Sequence, residues 1–486
     1  MFASLAAKVP ADKDLPARAH TLDVLSRVLN GTLYDILEYS FQDERTGAGE
    51  YVKLSDRRPS ARYNLSRIVV EDSISLLFGE GRFPTLATEN EDLRNALAAI
   101  VKDTKLNAVM ASAALIGSVG SAVVWLRVLK GRLFIEPLST AYLTPAYDPS
   151  EPDMLLSVTE LRKVRGDALR AAGYTIADDR LQTDHWFKVV WDAVAETFYV
   201  PWPVSDPKAA DKVDAGRTTR HGLEFVPMVW IHNLPGGVGV DGACTFRPAI
   251  ETQIEIEYQL SQAGRGLKYS SDPTLLIKEP SGDAPRIGGA ANALIVAADG
   301  DARMIEINGT ASAAVIEYVR TLREMALETV HGNRSSADKI SAAQSGRAIE
   351  LLHQPLIQLA DKLRISYGED ALTRLIRMIV AASAKFPLMV DGVVYKNLST
   401  APVALRWPDW FSQTQGDLQQ QAGTLATLRT AGMISRETAV AVIAPNYDIE
   451  DPADEIALII ADEAAADARE SAQIAAQTKI TETAPG

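Results

Sequence analysis

Residues 310–380 hold two helical patterns divided by a short polar break, and the rest of the chain must be arranged around them. In TASAAVIEYVRTLREMALETV, Val315, Val319, Leu322, Ala326 and Val330 recur at helical spacing, while Glu317, Arg320, Arg323, Glu324 and Glu328 fill the remaining positions. The spacing predicts an amphipathic helix capped by Asn308 or Thr310 and stopped by His331-Gly332-Asn333. The break, HGNRSSADKISAAQSG, has no apolar period and carries Arg334 and Lys339 as its full positive charges, so it reads as a polar loop. From Arg347 a longer helical pattern resumes through Ile349, Leu352, Leu356, Leu359, Leu363, Leu372, Leu375, Ile376 and Ile379. Proline inside a helix removes a hydrogen bond and clashes with the carbonyl four residues back, at about 3 kcal/mol. Pro355 is therefore expected to kink this helix, and Gly368 interrupts it again. Taken alone, the pair also fits a helical hairpin inside the core of a larger domain.

Charge and cysteine content narrow the function classes. The 486 residues carry 49 Lys+Arg against 63 Asp+Glu, a formal net charge of -14, which argues against a broad basic face that grips nucleic acid. A negatively charged wall is still compatible with nucleic acid as a passing ligand, because it keeps a polyanion from sticking. A single cysteine, Cys244, excludes an intrachain disulfide framework and any multi-cysteine metal site. MFASLAAKVPADKDLPARAH lacks a continuous apolar stretch, and no run of about 18 apolar residues occurs, so neither secretion by this route nor a membrane span is expected.

Along the chain, Leu22, Leu25 and Leu29, then Leu33, Ile36 and Leu37 give two short helices around Gly31, followed by a polar loop with Gly47 and Gly49. RYNLSRIVVEDSISLLFGE supplies a strongly apolar helix stopped by Gly79, and residues 90–118 repeat the helical signal. SAVVWLRVLKGRLFIEPLSTAYLTPAYD then turns to β-branched and aromatic residues, with Lys130-Gly131 as a hairpin turn. Further strand patterns in MLLSVTELRKV, HWFKVVWDAVAETFYV and LEFVPMVWIHN make residues 120–234 a β-rich layer on the N-terminal helices, and the class α+β.

Next comes a glycine-rich loop in which Gly237, Gly239 and Gly242 match the GxGxxG spacing after a strand and before a helix. That spacing raises a nucleotide-binding enzyme as the alternative function. The acidic residue expected about 20 positions later to hold a ribose is missing, Glu279 in TLLIKE coming too late. Glu251, Gln253, Glu255, Glu257 and Gln259 also leave the following helix polar at alternate positions, which reads as an exposed helix needing partners outside its own core. Short strands in 275–277, 293–296 and 303–307 follow, too small a core to stand alone. Two helices flanking a small β tip make a stalk.

The order of these pieces resembles the portal proteins of tailed bacteriophages. The resemblance is carried by RYNLSRIVVEDSISLLFGE, FVPMVWIHN, the glycine loop, FRPAIETQIEIEYQLSQ, the β tip, the second stalk helix, SGRAIELL, VALRWPDWF and TLRTAGMISRETAV, in that order over nearly the whole chain. It implies a portal-like α+β subunit. The wing would be 1–245 with return strands in 385–411, the stem helices 246–267 and 311–331, and the clip 268–310. A tunnel loop would occupy 332–346, the long kinked helix 347–384, and a helical crown and tail 412–486. The N-terminus is short and the clip compact beside larger members. The family's role would be a ring, usually of twelve subunits, at one capsid vertex of the virion, assembled in the host cytoplasm. Double-stranded DNA would pass through its channel during packaging and ejection. The terminase large subunit and head-completion proteins would dock on it, and capsid and scaffold proteins would surround it. Arg334, Lys339 and Arg347 would then be the residues nearest DNA.

No nucleotide P-loop, HExxH, GxSxG or ligand-spaced Cys or His pair occurs, and the six histidines are scattered singly, so no enzyme, cofactor or metal is expected. Glu369 and Asp370 read as the first turn of a resumed helix. Trp407, Trp410 and Phe411 around Pro408 read as a packing cluster. In the tail, Gly432 is a helix stop, Ser435 a cap, and ADEIALIIADEAAADARESAQIAAQ an acidic alanine-rich helix before a disordered end. A capsid-associated protein of another kind is a third reading.

Overall fold

The computed structural model describes residues 1–206, 212–271, 274–278, 301–305, 310–332, 353–410, 415–444, 447, 449 and 451–482. Helix takes 47% and strand 20% of the chain, and the long strand pairs are antiparallel, which makes the fold α+β. The described residues fall into two compact units, 1–332 with 353–408, and 409 onward.

The first unit begins with α1 (Phe2–Ala6), α2 (Ala17–Leu29), a 3-10 turn (Leu33–Ile36), α3 (Leu65–Phe78), α4 (Glu91–Asp103) and α5 (Leu106–Gly117). The apolar spacing in α2 and the 3-10 turn buries Leu22, Leu25, Leu29, Leu33 and Tyr34 in one core with Phe246, Ile250, Ile254 and Tyr258. Asn64 caps α3 by accepting from the Arg67 N–H, and Asn90 caps α4 through the Leu93 N–H.

Strands β4 (Ser121–Leu129) and β5 (Arg132–Ser139) form the expected hairpin, with β1 (Tyr39–Ser40), β2 (Arg57–Arg58) and β3 (Thr85–Ala87) preceding them as short pieces. Lys130 (φ 52°) and Gly131 (φ 79°) both take left-handed conformations, the geometry that tight two-residue hairpins need. The first half of β4 is buried on both faces, because α5 covers one and a second sheet the other.

The second sheet contains β6 (Leu143–Tyr147), β7 (Leu155–Arg165), β8 (Asp184–Asp192) and β9 (Ala195–Phe198), with β10 (Trp202–Pro203) on β8 and β11 (Thr219–Arg220) on β9; the small helix α6 (Gly166–Ala171) follows β7. Strand β12 (Met228–His232) joins β4 on the smaller sheet. Val123, Val158, Val189, Trp191, Met228 and Trp230 fill the space between the sheets, and Trp125 meets Trp191 edge to face at 5.5 Å.

Beyond the loop after β12, α7 (Ile250–Ser271), β13 (Thr274–Lys278), β14 (Asp301–Ile305) and α8 (Thr310–Thr329) follow in order. The expected strand at 293–296 lies outside the described residues; β13 and β14 pair antiparallel from Thr274↔Ile305 to Lys278↔Asp301.

The long helical run divides into α9 (Gln354–Leu363), a π-helical stretch (Arg364–Leu372) and α10 (Thr373–Lys385). Pro355 does not bend a helix interior. It stands in the first turn of α9 behind His353, where its missing N–H has no intrahelical acceptor and its fixed φ suits the start of a helix. The irregularity lies instead around Gly368. An added Cβ there would come within 2.3 Å of the Trp407 ring, and Tyr367 beside it is fully buried, its hydroxyl donating to Asn233 Oδ1 at 3.1 Å. Widening the helix by one residue per turn sets both residues inward at once. Glu369 and Asp370 belong to this π stretch rather than to a helix start, Glu369 accepting from Trp407 Nε1 at 3.3 Å and Asp370 pairing with Arg374 at 2.6 Å. Trp407 packs against Phe78, and Phe411 lies outside the described residues.

Strands β15 (Leu388–Val390), β16 (Val393–Tyr395) and β17 (Ala404–Arg406) return to the first half, β17 pairing with β3 and β15 packing beside β5.

The second unit consists, among the described residues, of α11 (Gln415–Thr430), α12 (Arg436–Ile443) and α13 (Pro452–Glu482). Gly432 (φ 69°) ends α11, its N–H reaching Arg429 O while Met433 N–H reaches Leu428 O, and the Ser435 hydroxyl caps α12 by accepting from Thr438 N–H. The acidic helix runs to Glu482, beyond its expected end, and the Arg436–Glu463 ion pair ties it to α12. No described helix is long and apolar enough to cross a membrane.

Candidate functional site: a two-helix arm and its root

Helices α7 and α8 pack along each other, and α8 also touches the 3-10 turn Arg247–Ala249 that leads into α7, so the two run antiparallel. Near that turn both are covered. Ile250, Ile254, Ile256 and Tyr258 of α7 are buried, as are Ala326 and Leu327 of α8 and Val330 just beyond it. Further out the cover ends: Ile316 of α8 stays more than half exposed, Tyr318 is 47% exposed and Leu267 of α7 49%, while Met325, beside the covered Ala326, turns its side chain out near the root. An exposed large apolar residue alone means little; Ile316 and Tyr318, close together on α8, make an exposed apolar surface.

The root of α7 is held by polar contacts that the alternating pattern of Gln and Glu conceals. Gln253 and Glu257 are buried, not exposed as expected, because residues four apart share one helix face and both lie beside Ile254 and Tyr258. Gln253 Oε1 accepts from the Ser66 N–H at 2.9 Å and hydroxyl at 2.6 Å, while its amide donates to Glu257 Oε1 at 3.3 Å. The Tyr34 hydroxyl donates to Glu257 Oε2. Tyr258 donates to Arg57 O at 2.9 Å, and Ser261 Oγ accepts from Ala61 N–H at 3.0 Å. Gln259 Nε2, on the other side, donates to Glu255 Oε1 at 2.7 Å.

At the first turn, Glu251 takes both the Met1 amine and the Phe2 N–H at 3.0 Å, and those two contacts hold its carboxyl below the ordinary range. Burial pushes Glu257 up to about 7, opposed by its bonds from Tyr34, Gln253 and the Tyr63 N–H and by the charge of Arg62. Burial likewise raises the Tyr34 hydroxyl, with the Glu257 charge adding to the effect.

The glycine loop before α7 is closed on itself. A Cβ on Gly237 would lie 1.9 Å from Asp241 O, and one on Gly242 2.4 Å from the Asn233 N, so these glycines permit backbone to pack on backbone. Arg18 clamps the loop with a two-pronged pair to Asp241 at 2.6 and 2.7 Å and donates to Thr140 O and Leu143 O at 2.6 and 2.9 Å. Trp230 Nε1 donates to Val240 O at 2.8 Å. With Asp241 inside the loop and Glu251 on the helix start, negative charge already occupies the place where a pyrophosphate would sit.

Two crevices lie elsewhere in the first unit. One of about 430 Å³, walled by Trp125, Trp191, Leu223 and Phe386, has His221 held at both ring nitrogens, by Leu223 N–H and Asp192 O. Arg127 at its edge stacks on Trp125 and pairs with Glu136, while the Trp191 indole N–H is turned to Glu196 without closing a hydrogen bond. The other, about 340 Å³, is lined by Tyr147, Met154, Phe225, Met378, Arg374 and Arg377.

Of the residues singled out from sequence, Pro355 is placed at the start of α9, while Arg334, Lys339 and Arg347 lie outside the described residues. The root contacts were missed. Their signal was present as Gln253, Glu257 and Ser261 at intervals of four, in line with Ile250, Ile254 and Tyr258. Neither known protein-family models nor curated protein sequences match this chain.

Proposed function

We propose that this chain is a portal-type subunit, forming a closed ring at a capsid vertex through which double-stranded DNA passes in packaging and ejection. The observation that carries the reading is the loss of cover along α8, which leaves Ile316 and Tyr318 exposed towards the short β tip. A neighbouring copy in a ring of about twelve subunits covers such a face with the next subunit's matching face. On this reading the body 1–245 with the return strands is the wing, α7 and α8 the stem, the β13–β14 segment the clip, residues 332–346 a tunnel loop, α9 to α10 the long helix, and the second unit the crown. Terminase and head-completion proteins are then its docking partners, with capsid and scaffold proteins around it, and its place is the virion vertex after assembly in the host cytoplasm. The net charge of -14 suits a conduit that must not trap DNA. The geometry of the glycine loop offers no support to the nucleotide-enzyme alternative, since the space a phosphate needs is taken by the loop's own backbone and by Asp241.

Native mass spectrometry and negative-stain images of the purified chain test the reading. A ring with a central channel supports it; a monomer or dimer at high concentration removes it. In the tunnel loop, Arg334→Ala with Lys339→Ala is expected to leave rings intact and alter the DNA content of assembled particles, and unchanged content rejects a role for those two residues.

A further inference from the structure

Glu257 is 2% exposed, and among the described residues no cation lies within ion-pair distance of it. Its ligands are all neutral donors: Tyr34 from the turn Leu33–Ile36, Gln253 from its own helix, and the Tyr63 N–H from the segment leading into α3. The whole chain of donors, beginning with Ser66, points at this one carboxylate. Arg62 is the nearest positive group; it lies over the Tyr34 ring at 5.9 Å, half in solvent, and is spent on Asp35 at 3.0 Å and Gly31 O at 3.0 Å. On the far side Tyr258 faces Glu257, with Asp56 beyond it, and α2 contributes only the apolar Val28. Beside the carboxylate is a cavity of about 20 Å³ lined by Tyr34, Asn64, Arg62, Gln253 and Glu257. A water needs about 10–15 Å³ and two or more polar partners, so one water fits there.

We propose that Glu257 and Tyr34 form a proton-operated latch at the root of the arm. One proton taken from solvent onto Glu257 Oε2 removes the buried charge and reverses the hydrogen bond, so that the carboxylic acid donates to Tyr34 Oη. The Tyr34 hydroxyl hydrogen then turns to the water in the cavity. Proton uptake stabilises the seat of α7 on the turn Leu33–Ile36, and proton loss leaves an uncompensated charge in that seat. Because Glu257 binds its proton more tightly folded than unfolded, the stabilisation is complete in acid and is lost as pH rises through neutrality. The latch does not depend on what the outer part of the arm meets.

Hydrogen exchange of the α7 amides across residues 250–258, measured from pH 5 to 8 on the full chain and on Glu257→Gln, tests it. The wild-type opening constant is expected to rise with pH relative to the variant by up to about 100-fold. A purely structural hydrogen bond would instead shift the two profiles by a constant. Tyr34→Phe removes one donor from the ionised form and is expected to move the rise to higher pH, which also serves if Glu257→Gln fails to fold. Parallel profiles for wild type and Glu257→Gln, or a rise that Tyr34→Phe leaves in place, overturn the latch.

Discussion

The two ends of the arm are built from similar residues and have opposite surroundings. At the root, Gln253 and Glu257 are polar side chains sunk in a core and satisfied by Ser66 and Tyr34. At the outer end, Ile316 and Tyr318 are large and largely apolar side chains left in water. The inversion teaches that the root of the arm is satisfied from within the chain, whereas large apolar side chains nearer its outer end stay exposed. Polar residues at the root do not call for a neighbouring molecule; on the proposed reading, the apolar ones further out meet one.

The largest expected effect breaks this contrast at its outer end. Ile316→Asp with Tyr318→Asp removes the apolar surface without touching the buried root, so assembly is expected to collapse to monomers in native mass spectrometry while circular dichroism and thermal unfolding of the subunit stay close to wild type. Loss of folding would show that these side chains serve the single chain instead. A smaller effect is expected at the root. Gln253→Ala strips the Ser66 N–H and hydroxyl of their acceptor and Glu257 of a donor, and leaving buried polar groups unpaired costs about 2–4 kcal/mol in all, read by denaturant unfolding. The smallest change sharpens the comparison across one helix. Gln259→Ala, only four positions from Glu255 on the outer face, loses a single solvent-screened bond and is expected to cost about 0.5 kcal/mol or less in the same measurement.

Much of the fold was legible in residue order. The Lys130-Gly131 hairpin, the Gly79 stop, the Gly432 stop and the Ser435 cap all depend on chemistry within a few neighbouring residues. The root was not legible, for an equally physical reason: Glu257 and Tyr34 are 223 positions apart, and a carboxylate's burial depends on what arrives from elsewhere. Pro355 shows the same limit. Its effect on a helix depends on whether it falls inside or at the start, and where α9 begins was set by more than local spacing.

The sequence by itself determined that α7 and α8 are helices flanking short strands, and that a glycine-rich stretch precedes them, because periodicity and turn chemistry are local properties. Tertiary structure alone decided that the glycine stretch folds shut under Arg18, that the widened turns around Gly368 receive Trp407, and that one acid of α7 is buried while another meets solvent. Those outcomes rest on packing and desolvation, which are set by the distant segments that come to surround each group.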